Sequence, residues 1–310
     1  VKTGQREDTA ADRAAARETT GLKDEIRRTL LDWGADLVGF AAVETWAEQG
    51  RVPEAYRPDA LWPQARTVVV IGLQMPLPVV ETTPSVQHTE LYRACNRRLD
   101  DMAFDLTRWL NRRGAAAFFL SRDGYASLDV LLENPAAAFA HNFAAEYAGL
   151  GTVGVNHTIL TPAFGPRVRF VSVFTEARLP PDPPLPQNLC IRCGACVECC
   201  PVQAFTISGE QLHSKEPVVV AKYDKALCTQ RHKLLVKKGC YPCGICTKVC
   251  PVGEDRRLYG RENVLHHYRR EAEALARDPD DPSYRAWVHI RRHGSWPLDE
   301  KGRLPKAPRE

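Results

Sequence analysis

Eight of the eleven cysteines stand in two runs of identical spacing: Cys190, Cys193, Cys196 and Cys200 before Pro201, and Cys240, Cys243, Cys246 and Cys250 before Pro251. The pattern C-x2-C-x2-C-x3-C-P supplies the ligands of paired 4Fe-4S cubanes. Three closely spaced thiolates wrap one face of a cubane, and the fourth arrives from elsewhere in the chain. In paired clusters it is the last cysteine of the other run. The expected first cluster therefore joins Cys190, Cys193 and Cys196 to Cys250, and the second joins Cys240, Cys243 and Cys246 to Cys200. The alternatives are disulfides or a zinc ribbon; zinc uses two C-x2-C pairs and leaves the third cysteine and the proline of each run without a purpose. Cys95 and Cys199 read as small buried hydrophobes.

A two-cluster unit of this kind occupies about 60 to 70 residues, so most of the 310 residues must do something else. With 44% hydrophobic and 26% charged residues and a formal net charge of +4, the composition is that of an ordinary globular protein and does not demand nucleic acid. No apolar run reaches the roughly 18 residues of a membrane span, and no signal segment is visible, so a cytoplasmic protein is expected, where thiols stay reduced.

Leu22, Ile26, Leu30 and Trp33 recur at helical spacing, after a polar tail expected to be frayed or disordered over residues 1–20. Asp36 to Val43 and Thr67 to Leu73 read as buried strands. Tyr92, Cys95, Leu99, Met102, Leu106 and Trp109 predict a long helix ending at Gly114. Ala116 to Leu120 is a further strand, and Asn134-Pro135 predicts the start of a helix running to Gly149. Ile159 to Thr161 and Arg167 to Thr175 complete the strands, with Val168, Phe170 and Ser172 alternating against Arg167, Arg169 and Val171. Strands interleaved with helices imply an α/β layer over residues 21–179. Five prolines in residues 180–186 make an extended linker, and residues 187–260 form the cluster domain. Residues 261–310 are expected to be a tail beginning with a basic helix.

Gly149-Leu150-Gly151-Thr152-Val153-Gly154 spells G-x-G-x-x-G, but a helix leads in and β-branched residues lead out, the reverse of a dinucleotide fingerprint. A helix closed by Gly149, followed by side-chain-free backbone that a flat ligand can approach, fits the order better. The segment from His141 to Leu179 resembles the cobalamin-cradling region of the epoxyqueuosine reductases and corrinoid reductive dehalogenases, and the resemblance extends over about residues 22 to 260. It implies a nitroreductase-like α/β (α+β) core followed by a ferredoxin-like double 4Fe-4S domain. It also implies base-off cobalamin reduced through the clusters, with His141, Gly149, Leu150, Gly151, Gly154, Asn156 and His157 around the corrin. The family's second cluster motif is irregular, its first cysteine lying well upstream, and Cys228 is the residue here that could play that part.

The Asp-Ser-Ala-Pro element of the epoxyqueuosine reductases is absent, which leaves Tyr125, Glu133 and His141 as candidate proton donors. The substrate implied is a small molecule or modified nucleoside, with an external low-potential ferredoxin or flavodoxin as electron source. A dehalogenase, or an electron-transfer module carrying cobalamin or flavin without its own substrate, is the alternative. Basic residues at 222–238 and 256–270 read as solvated helical faces, or as contacts for the corrin periphery, an acidic donor or, as the weaker case, tRNA. Two cubanes predict about eight irons per chain after anaerobic purification. Metal analysis checks this, and a value near four, or zinc in place of iron, would contradict the double-cluster assignment.

Overall fold

The computed structural model describes residues 10–207, 211–212 and 218–284. Four strands, β1 (Leu37–Ala42), β2 (Thr67–Gln74), β3 (Ala117–Leu120) and β4 (Val168–Thr175), form one sheet in the order β1-β2-β4-β3, each pair antiparallel. Period-two alternation sends successive side chains to opposite faces. Val69, Ile71, Val171 and Val173 pack on Ile26 and Leu30 of helix α1 (Ala10–Asp32) and on Leu99, Met102 and Leu106 of helix α2 (Val86–Arg112). Val68, Val70, Phe170 and Phe174 face the other way, onto Trp46. Both faces are thus covered, and each fully buried branched or aromatic side chain contributes about 1.5–3 kcal/mol.

Helix α1 starts at Ala10, earlier than the hydrophobic pattern suggests, and residues 1–9 lie outside the described ones. The helix expected from Asn134 divides differently. Helix α3 (Leu128–Glu133) ends there, with Asn134 extended at φ −134° and ψ 97°, and helix α4 begins only at His141 and runs to Tyr147. Pro135 accounts for this, because its ring clashes with a helical residue before it. Helix α5 (Lys225–Val236) lies beyond the first cysteine run and is capped by the Asp224 carboxylate, which accepts from the Leu227 N–H at 2.9 Å.

The proline-rich stretch is pinned to the α/β layer. The Asp182 carboxylate accepts from Lys23, Arg27 and the Phe40 N–H. The cluster segment is attached more deeply. Arg167, fully buried, makes a bidentate pair with Asp255 at 2.6 and 2.5 Å and donates to the carbonyls of Cys250 and Val252. Arg256, also fully buried, donates to the carbonyls of Cys250 and Lys248 and pairs with Glu81. At the start of α2, the Thr83 and Thr89 hydroxyls donate to the carbonyls of Cys243 and Gly239. Part of the C-terminal basic stretch is therefore internal scaffolding rather than a solvated face. Residues 285–310, expected to form the end of the tail, lie outside the described residues.

Removing one partner of a buried ion pair strands the other charge, at a cost of about 3–5 kcal/mol. Asp255→Ala is expected to lower unfolding stability in urea by that amount. The double variant Arg167→Leu/Asp255→Leu should recover much of the loss, because it leaves no orphaned charge.

Candidate functional site

Two groups of four thiols form around separate spaces, and none of the eleven cysteines is in a disulfide. Cys190, Cys193, Cys196 and Cys250 line one pocket, with Cys193 exposed at the surface. The short helices Ala195–Glu198 and Ile245–Lys248, each entered through a left-handed glycine, Gly194 and Gly244, point the middle cysteines of the two runs inward. Cys250 reaches this outer group because Arg167 and Arg256 both hold its carbonyl.

The inner group consists of Cys200, Cys228, Cys243 and Cys246, which together line a cavity of about 590 Å³. Cys240 does not join them. Its N–H closes the end of α5 on the Leu235 carbonyl at 3.0 Å, and that turn sends the side chain into a small core with Ala195, Leu235, Ile245 and Val249. The regular spacing leads to the expectation of Cys240 in the inner group, whereas it is Cys228 on α5 that lines this cavity. The signal in the sequence was helical position: Cys228 shares a face with Arg231 and His232, three and four residues on, and all three line the cavity.

Burial and neighbouring cysteines push the Cys196 and Cys246 thiols up to about 12, and burial with the Cys193 and Cys190 sulfurs outweighs Arg167 in raising Cys250 to about 11. Four thiolates crowded in this way resist ionisation unless positive iron sits among them, so both groups suit a cluster. The iron supplies the charge that the protein withholds.

Tyr92, Tyr125 and Tyr241 line another part of the same cavity. Asp123 accepts from the Tyr92 hydroxyl at 2.9 Å and from the Arg169 guanidinium at 2.8 Å, and Arg169 lies over the Tyr92 ring. The Tyr125 and Tyr241 hydroxyls are 2.7 Å apart. Burial raises Tyr125 to about 12 and raises Tyr241 beyond it, so Tyr125 is the stronger acid of a pair in which either hydroxyl can donate.

The other candidates divide. His141, Asn156 and His157 line the cavity; Gly149, Leu150, Gly151, Gly154 and Glu133 do not. A Cβ on Gly149 would stand 2.3 Å from the Pro183 carbonyl, and one on Gly151 would stand 2.3 Å from the Leu160 carbonyl. On the side a Cβ would occupy, Gly149 and Gly151 are thus packed against this chain's own backbone, while Leu150 is partly buried against the core and Glu133 is exposed at the end of α3. His141 is held at both ring nitrogens: Nε2–H donates to the Ser121 carbonyl at 3.0 Å and Nδ1 accepts from the Ser172 hydroxyl at 2.9 Å. Burial lowers it to about 4. Its ring is neutral and engaged at both nitrogens. His157, at φ 62°, donates from Nε2 to the Ala221 carbonyl, and the Asn156 side chain lines both the outer pocket and the cavity.

Residues 189–253, which hold both groups of thiols, match the family of 4Fe-4S double cluster binding domains. The chain carries two 4Fe-4S clusters. Over 106 residues it is 34% identical to the epoxyqueuosine reductase of Bacillus anthracis, a match covering 34% of this chain and 27% of that protein. The epoxyqueuosine reductase of Synechococcus sp. (strain RCC307) is 27% identical over 270 residues, 77% of each chain. Among solved structures, a reductive dehalogenase superposes on all of this chain and 44% of its own with a TM-score of 0.61 at 20% identity, which establishes a shared fold. The resemblance found in the sequence thus holds for both the mixed α/β core and the cluster domain. Among the described residues no helix is long and apolar enough to cross a membrane.

The geometry predicts opposite outcomes for two cysteines. Cys228→Ala should lose or degrade one cluster, leaving about four irons or a three-iron species, whereas Cys240→Ala should keep about eight. Iron analysis with electron paramagnetic resonance of the reduced proteins distinguishes them.

Proposed function

We propose that this chain is a cobalamin-dependent iron-sulfur reductase that removes an oxygen or halogen substituent from a small molecule or modified nucleoside. One observation carries the reading: the four inner thiols and the Tyr125–Tyr241 pair line the same cavity. Electrons and a proton are the two things a reductive cleavage consumes, and both have a source in that lining. The cavity volume lies within the range of small-molecule and cofactor sites. A corrinoid, when bound, supplies the low-potential nucleophilic metal for which the protein has no equivalent side chain.

The chain's own residues bind, orient and protonate. Asn142, Asn156 and His157 would meet the amide-bearing rim of a corrin bound in this cavity, and His141, engaged at both ring nitrogens, would keep its ring fixed in the wall. Phe139, Phe143 and Phe170 supply apolar lining that excludes water. Tyr125 delivers the proton, Tyr241 fixes its hydroxyl, and Asp123 with Arg169 holds Tyr92 against Tyr241, whose rings meet edge to face at 5.6 Å. Cys190, Cys193, Cys196 and Cys250, with Cys193 exposed, would hold one cluster within reach of an external electron donor, and Cys200, Cys228, Cys243 and Cys246 would hold the other in the cavity wall. The relatives named for epoxyqueuosine favour a modified nucleoside, and the dehalogenase fold favours an aryl or alkenyl halide.

Tyr125→Phe is expected to retain cobalamin and lose about 10²–10⁴-fold in turnover. Turnover is read with reduced methyl viologen against a halogenated phenol and an epoxyqueuosine nucleoside. Full activity in that variant on a substrate the parent reduces would remove Tyr125 from the mechanism. Because burial holds the Tyr125 proton up to about 12, the parent's activity should not fall near pH 10, where an ordinary tyrosine ionises.

A further inference from the structure

The lip of the outer pocket faces solvent and carries charge of one sign. Ile191 is 67% exposed, Arg192 and Cys193 are exposed beside it, and a Cβ placed on Gly194 would meet nothing within 4 Å. Two left-handed residues, Arg192 at φ 54° and Gly194 at φ 76°, turn the chain sharply here. Among the described residues that line the pocket, Arg192 is the one with a charged side chain, and it makes no ion pair with any described residue. From Pro183 to Val197 the chain holds no aspartate or glutamate. The next acid, Glu198, is occupied by Arg269 at 2.5 Å. Arg269 belongs to helix α6 (Val264–Arg277), whose exposed acids and bases are Arg269, Arg270 and Arg277 against Glu273.

Transient electron-transfer contacts are small, with an apolar centre and a charged rim, and their rates come from charge steering. Ile191 supplies such a centre and the arginines such a rim, beside the exposed thiol of a cluster site. A carboxylate-rich partner is drawn to this face, and a basic one is repelled. We propose that Ile191, Arg192 and the adjoining face of α6 are the docking surface for a small acidic electron-transfer protein, which reduces the outer cluster beside Cys193. One electron passes from the partner's reduced centre to the oxidised cluster, with no bond made or broken. This docking role rests on the proposed reductase activity, which needs an external donor; cluster reduction is measured without cobalamin or substrate, so the two fail separately.

The test is stopped-flow oxidation of an acidic flavodoxin, fully reduced to its hydroquinone, by the anaerobic, cluster-loaded full chain carrying Arg192, Arg192→Gln or Arg192→Glu. Each transfer converts the flavin to its semiquinone, which is followed by absorbance. The second-order rate constant at low salt is expected to fall with each step of charge, about threefold for Arg192→Gln and about tenfold for Arg192→Glu. The differences should vanish near about 1 M salt, where the charges are screened. Reduction by the methyl viologen radical cation, which has no acidic surface, should not slow in either variant. Should Arg192→Glu hold fewer than about eight irons, Arg192→Gln decides alone. An unchanged flavodoxin rate, a fall that persists at high salt, an equal slowing with methyl viologen, or iron loss in both variants overturns the proposal, the last because it would make Arg192 a support of the cluster.

Discussion

An electron reaches a buried cavity only through something redox-active in its wall, and here that wall is built from sulfur. Cys200, Cys228, Cys243 and Cys246 come from three separate stretches of chain, so their convergence is a property of the tertiary fold and of no single motif. Everything that fixes those stretches serves the same end. Helix α5 carries Cys228, the start of α2 grips the loop before Cys246 through two threonine hydroxyls, and the paired buried arginines hold the turn at Cys250. A cluster placed elsewhere would leave the cavity a binding site without reducing power.

The same constraint explains the expense of the buried charges. Arg167 and Arg256 are surrounded by protein, and an ion pair in such a place contributes little net stability compared with apolar packing. Their value is directional. A guanidinium fork fixes the angle of a carboxylate and the position of a backbone carbonyl at once, which a leucine cannot do. In this chain that precision is directed at the crossing point where the second cysteine run contributes a ligand to the first.

Much of the scaffold was legible in the sequence, because the short β-branched run Thr67 to Leu73, the alternation in Arg167 to Thr175 and the helical stepping from Tyr92 to Trp109 are strong local signals that tertiary packing only confirmed. The outer cysteine group was legible for the same reason, being set by spacing. Where spacing and helix geometry competed, at Cys240 against Cys228, spacing misled, since a cysteine at the end of a helix points wherever the closing turn sends it. The glycine loop misled in a related way: absent side chains invite close approach, yet what approaches is the chain itself at Pro183 and Leu160. The Tyr92–Asp123–Arg169 and Tyr125–Tyr241 contacts join residues 31 to 116 positions apart, and no single-sequence pattern encodes such pairings.

The proposed reduction requires a corrinoid seated against the inner group of thiols and their cluster. Electron paramagnetic resonance of the anaerobic full chain loaded with one equivalent of cobalamin, poised so that cobalt(II) and the reduced clusters coexist, tests it most directly. The account predicts a base-off cobalt(II) spectrum magnetically coupled to one cluster, with that coupling absent when the clusters are oxidised. Failure to retain cobalamin, or a cobalt spectrum indifferent to the redox state of both clusters, would contradict it.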